Sequence, residues 1–135
     1  MKMNPLIRVF GALDYRGPCP PESNEQVTFF NVLRRDYPAL GIIAIHPRNE
    51  GKKSHQQVMR EKSEGMTPGA SDIIIPGAPC FVCELKRQNH TKSRWQDNQE
   101  NYLLTAQAQG AFVCVALGYK AALEAVNEWL KLQQK

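Results

Sequence analysis

The stretch "SDIIIPGAPCFVCELK", residues 71–86, limits the fold more than any other part of the chain. Ile73 to Ile75 and Phe81 to Leu85 have the make-up of two buried strands, and "PGAP" between them supplies the turn residues of a hairpin. Yet the stretch also carries Asp72, Glu84 and Lys86. Unpaired charge in an apolar layer is expensive, so the three must neutralise one another, hold a metal or line a site. Strand alternation places Val82, Glu84 and Lys86 on one face and Phe81, Cys83 and Leu85 on the other. The turn returns Asp72 beside Glu84. Adjacent carboxylates repel, which raises the pKa of one unless a cation relieves them, and hard oxygen ligands of this kind suit Mg²⁺ or Mn²⁺. A buried Glu84–Lys86 or Asp72–Lys86 ion pair that satisfies itself is the plainer reading of the same spacing.

Around this hairpin the periodicities predict one α/β domain over residues 1–135, a mixed β-sheet flanked by helices, with residues 1–20 as an N-terminal extension. Within that extension "LIRVF" is a candidate short strand and "RGPCPP" a rigid loop. "SNEQVTFFNVLRRDYP" predicts a helix, with Ser23 as cap, Gln26 closing a capping box, Val27, Phe30 and Leu33 at helical spacing, and Pro38 as the stop. The β-branched run "LGIIAIHP", residues 40–47, reads as a strand. A polar stretch of more than 20 residues follows, with Lys52, Lys53, His55 and Arg60 among its basic groups; it is either a solvated loop or one that grips a nucleic-acid backbone. Residues 93–110 predict a helix ending at Gly110, residues 111–117 a buried strand, and residues 119–133 an amphipathic helix with Ala122, Leu123, Val126, Trp129 and Leu130 on one face.

Seventeen Lys and Arg against thirteen Asp and Glu give a formal net charge of +4, a mild excess that favours an anionic partner without establishing one. No apolar run is long enough to span a bilayer, and the first residues do not read as a signal peptide, so the expected location is cytoplasmic, with no membrane partner. Cys19, Cys80, Cys83 and Cys114 then read as reduced thiols. Cys80 and Cys83 would point to opposite faces of a strand, and no second pair completes a zinc site.

Taken together, "GASD" ending at Asp72, "ELK" at Glu84 to Lys86, "HPRN" at His46 to Asn49, Glu25 in the first helix and Gln99 eleven residues before Gly110 resemble the PD-(D/E)XK nuclease superfamily. The nearest likeness is to the standalone, phage-type VRR-NUC domain, over roughly residues 22–126. Three departures stand out: Ser71 precedes the Asp where the family usually has Pro, the HPRN turn carries an inserted Arg, and Gln96 competes with Gln99 for the helical role. The resemblance implies a restriction-endonuclease-like core in a bacterial or phage-infected cell. It also implies a metal held by Asp72, Glu84, the Leu85 carbonyl and Glu25, with Lys86 serving the attacking water and Gln99 placing the lysine or the phosphate. Lys52, Lys53, His55, Arg60 and Arg87 would contact DNA.

The activity implied is Mg²⁺- or Mn²⁺-dependent hydrolysis of DNA phosphodiester bonds, structure-specific for a Holliday junction or flap, by a homodimer. The rival expectation is a nuclease fold without catalysis, serving to bind nucleic acid or another protein. Trp95 and Trp129 read as packing residues, and His46 as a hydrogen-bonded turn residue.

Overall fold

The computed structural model describes residues 1–47 and 53–133. Four short strands make its sheet: β1 (Arg8–Phe10), β2 (Ile73–Ile75), β3 (Phe81–Lys86) and β4 (Phe112–Leu117). They lie in the order β1-β4-β3-β2, with β1 and β3 parallel to β4 and β2 antiparallel to β3. The expected mixed sheet and hairpin are both present. The N-terminal segment is no appendage, because it supplies an edge strand.

Among the described residues five α-helices flank the sheet: α1 (Glu22–Asp36), α2 (Pro38–Ile43), α3 (His55–Ser63), α4 (Gln99–Ala108) and α5 (Tyr119–Gln133). Alternation along the central strands sorts two cores. Phe81, Cys83, Leu85, Cys114 and Ala116 pack with Phe29, Phe30 and Leu33 of α1 and with Ala122, Val126 and Trp129 of α5. Val82, Val113, Val115 and Leu117 face the other way, with Leu103 of α4 and Ile7. β4 is apolar on both faces, as a parallel strand covered by helices requires, whereas β3 is apolar on its α1–α5 face and carries Glu84 and Lys86 beside Val82 on the other. Cys80 packs with the α4 core and Cys83 with the α1–α5 core, so the two thiols do face opposite sides. Trp129 is fully buried and its indole N–H donates to Pro79 O at 2.6 Å.

Four local expectations need correction. Residues 40–47 are not a strand: Pro38 opens α2, where its fixed φ and missing N–H suit the first turn, and only Ile45 bridges β2, at Ile74. Ser23 does not cap α1. The helix starts a residue earlier at Glu22, after Pro21, with no side-chain cap bond, and Val27 stays exposed. The polar stretch is not all loop, since Ser54 Oγ accepts from Gln57 N at 3.1 Å and caps α3. Finally, α4 begins only at Gln99, because Asn98 takes a left-handed backbone with φ of 72°.

Candidate active site

The register of the hairpin builds the site. Ile73 pairs with Cys83, so Asp72, one residue before β2, falls opposite Glu84. Asp72 Oδ2 accepts the Leu85 backbone N–H at 3.0 Å, which fixes its carboxyl plane where the ladder ends. Its own carbonyl faces His46 Nδ1 at 2.8 Å, and since a carbonyl only accepts, that ring nitrogen donates. His46 therefore steadies Asp72 from behind.

Glu84 and Lys86 share the α4 face of β3 and are almost completely buried, at 1% and 2% exposure. They meet α4 at its first residue. Gln99 Nε2 donates to Glu84 Oε1 at 2.8 Å, while Gln99 Oε1 accepts the Lys86 ammonium at 3.0 Å and the Gln96 backbone N–H at 2.8 Å. Between Gln96 and Gln99, it is Gln99 whose side chain touches both charged residues, while the Gln96 backbone orients it. The ammonium also donates to Arg94 O at 2.8 Å and lies 3.8 Å from both Glu84 Oε1 and Glu22 Oε1.

Burial drives the Glu84 carboxyl well above the ordinary glutamate range, and the Asp72 carboxylate beside it pushes the same way. Lys86 opposes both without cancelling them. No N–H or O–H reaches Glu84 Oε2, which is buried. Its contact with Asp72 becomes a hydrogen bond only when a proton lies between the two carboxylates. The self-satisfied ion pair thus describes only part of the cluster: Lys86 is well partnered, and one edge of Glu84 is not.

Asp72, Glu84, Leu85, Lys86 and Gln99 line one open cleft of about 860 Å³. Glu22, His46, Gly69, Arg34 and Asp97 line it as well. Four carboxylates against Lys86 and Arg34 leave this cleft acidic, which suits a cation and repels a bare phosphate. Among the described residues no group of three or more His, Cys, Asp and Glu side chains converges to hold a metal. Two carboxylates with a backbone carbonyl nearby still fit a hydrated Mg²⁺, which is bound through one or two carboxylates and keeps several waters. The buried, donor-free Glu84 Oε2 is the observation that supports this fit.

Other expected residues lie elsewhere. Glu25 is not on the cleft; it is buried, and its Oε2 accepts the Tyr119 N–H at 2.5 Å at the start of α5. Glu22, one turn earlier, faces the cleft instead. A helical row could have shown this, because Glu25 stands four and eight residues before the buried Phe29 and Leu33. Arg87 donates to Cys19 O at 2.7 Å and Pro20 O at 3.0 Å, fastening the N-terminal loop. Lys53 is ion-paired with Glu61. His55 and Arg60 are exposed on α3, and Lys52 lies outside the described residues.

Fold and site together define an α/β domain: a mixed four-stranded sheet flanked by helices, with a carboxylate pair and a lysine at the open end of its hairpin. A solved structure described as a VRR_NUC domain protein superposes with a TM-score of 0.67 at 21% sequence identity, covering 87% of this chain and 93% of that one. At that identity the likeness is one of fold. No family model matches the sequence, and no curated protein does. Among the described residues no helix is long and apolar enough to cross a membrane.

Proposed function

We propose that this protein is a divalent-metal-dependent DNA endonuclease, hydrolysing phosphodiester bonds in branched DNA of the Holliday-junction or flap type as a homodimer. One observation carries the reading: Asp72 before β2, Glu84 and Lys86 on β3, and Gln99 at the start of α4 meet in a single open cleft. A Mg²⁺ or Mn²⁺ ion would be held by Asp72 and Glu84, with the Leu85 backbone and Glu22 beside them. Such an ion supplies charge neutralisation at the phosphoryl oxygens and a lowered pKa for the attacking water.

The chain's own residues do the rest. Lys86 offers three N–H donors; Arg94 O and Gln99 Oε1 take two and set the direction of the third. That donor would orient the attacking water or meet the charge growing on the phosphoryl group. Gln99 bridges Lys86 and Glu84, which keeps the ammonium from collapsing onto the carboxylate it lies 3.8 Å from. His46 and the Leu85 N–H hold Asp72 in place, so little reorganisation remains at the moment of reaction. A domain of this size reads backbone shape more readily than base sequence, and a two-fold dimer would present two clefts to two strands.

The test incubates purified protein with Mg²⁺ or Mn²⁺ and labelled linear, flap and four-way DNA, alongside sedimentation to read the oligomeric state. Branched substrates should be cut, and Asp72→Ala or Glu84→Ala should slow cleavage by on the order of 10²-fold or more. Full activity in either variant, or in excess chelator, overturns the reading.

A further inference from the structure

The outer row of α1 forms one wall of the cleft, and beyond Glu22 it has no role in the chemistry above. Glu22, Gln26, Val27, Asn31 and Arg34 all line it. The row has a polarity. Glu22 stands at the Lys86 end, and Arg34 lies twelve residues on, about 18 Å along the helix axis. That is the span of about five phosphates of one strand at B-form rise.

Two side chains on this row lack an explanation in the fold. Val27 is 61% exposed although it sits on α1 beside the buried Phe29 and Phe30. Arg34 makes no salt bridge among the described residues, whereas its neighbour Arg35 is tied to Asp36 at 2.7 Å. The Arg34 guanidinium instead rests on the Phe30 ring, 5.4 Å from its centroid. Stacking of this kind holds the plane of the guanidinium and leaves its edge donors for an anion.

We propose that this row of α1 is the track for the DNA strand running out from the scissile phosphate, with Arg34 gripping a backbone phosphate at its far end. The proposal rests on the endonuclease reading and adds a direction and a length to it. Carboxylates at the chemical end repel phosphate and confine it to the metal, and the apolar and amide middle accepts sugar and base edges. The free guanidinium then fixes the strand's position. Gly41 of α2 lies against Arg34, where a Cβ would come within 2.8 Å of the Arg34 Cα, so the backbone under this anchor is set by close packing.

The experiment compares wild type with Arg34→Gln and Val27→Ser on branched DNA whose arms are shortened in turn on each side of the cut. It measures binding against salt, and KM and kcat. Both positions are exposed, so both variants should fold, and thermal unfolding checks this. With long arms, Arg34→Gln should flatten the slope of log affinity against log salt by about 0.9 and raise KM with kcat kept. Val27→Ser, which removes no charge, should weaken binding with the slope unchanged. Shortening one arm, on one side only, to fewer than about five nucleotides should erase the Arg34→Gln difference. An unchanged slope, or the same KM ratio at every arm length, overturns the track. If wild type cuts and the slopes agree, the track alone fails. If wild type binds with the predicted slope difference but cuts nothing, the endonuclease reading fails and the strand's direction from a scissile phosphate fails with it, while the Arg34 phosphate contact stands.

Discussion

Gln99 Oε1 accepts the Lys86 ammonium at 3.0 Å, and this single contact ties the start of α4 to the charged face of β3. The amide's orientation follows from its partners, with oxygen toward the ammonium and nitrogen toward Glu84. Gln99→Leu keeps much of the volume and removes both bonds. Glu84 Oε1 would then lose its donor in a buried place, a cost of about 1–3 kcal/mol. Denaturant unfolding should show a loss of that size, and cleavage should fall while Mn²⁺ still binds. Wild-type stability in this variant would mean that water replaces the amide and that the bridge is incidental.

Glu84 makes stability depend on pH with a definite sign. Its carboxyl is raised by burial and by Asp72, so the folded protein binds this proton more tightly than the unfolded chain. The stabilising contribution is present below about pH 4.3, the ordinary glutamate value, and is lost as pH rises through the higher folded value. In chelator, Glu84→Gln should therefore be more stable than wild type at neutral pH, and the gap should close on acidification. Saturating Mn²⁺ should reverse the order by stabilising wild type alone, by about 2.7 kcal/mol at a hundredfold excess over Kd. Parallel pH curves for the two proteins would show that the carboxyl titrates normally.

Lys86→Met separates a lysine that serves the reaction from one that only balances charge. The side chain is 2% exposed and has room for a thioether of similar length. Turnover should fall by on the order of 10²-fold or more while Mn²⁺ titration still shows binding. Loss of metal affinity in the folded variant would assign Lys86 to holding the carboxylate pair in place.

The charged cluster is more legible in the sequence than the frame around it. Glu84 and Lys86 alternate with apolar residues on a strand, so a period of two places them together, and a short turn brings Asp72 opposite. Ile42, Ile43 and Ile45 mislead because β-branching signals a strand only when the side chains are covered. Here all three are exposed, and Pro38 has already opened a helix. The choice between Glu22 and Glu25 depends on the rotation of α1, which Phe29 and Leu33 settle by burial. Arg87 offers no local signal at all, since its partners lie 67 and 68 residues away at Pro20 and Cys19.

That rotation can be tested with two glutamates. Glu25 accepts the Tyr119 N–H at the start of α5, where a carboxylate satisfies an otherwise unpaired donor and meets the positive end of the helix. Glu25→Ala should cost about 1–3 kcal/mol in unfolding and leave the rate of the folded fraction close to wild type. Glu22→Ala should do the opposite, lowering the rate with little change in stability. If Glu25→Ala abolishes cleavage in fully folded protein, the metal draws on the buried acid after all.

Gly69 is the residue whose backbone lets the two halves of the site meet. It adopts φ of 76°, and a Cβ there would stand 2.5 Å from the carbonyl carbon and oxygen of Asn98. Asn98 itself has φ of 72° and immediately precedes Gln99. The approach to Asp72 and the start of α4 therefore touch backbone to backbone, and only glycine allows both the angle and the closeness. Gly69→Ala adds strain on both counts, so a loss of about 1–3 kcal/mol is expected. Relief would come from moving Asn98 outward, carrying Gln99 away from Lys86 and Glu84. Cleavage should then fall further than at Gly65→Ala, where the added Cβ meets nothing within 4 Å and the positive φ gives a matched strain control. Equal activity in the two variants would show that the Gly69–Asn98 contact does not position the amide.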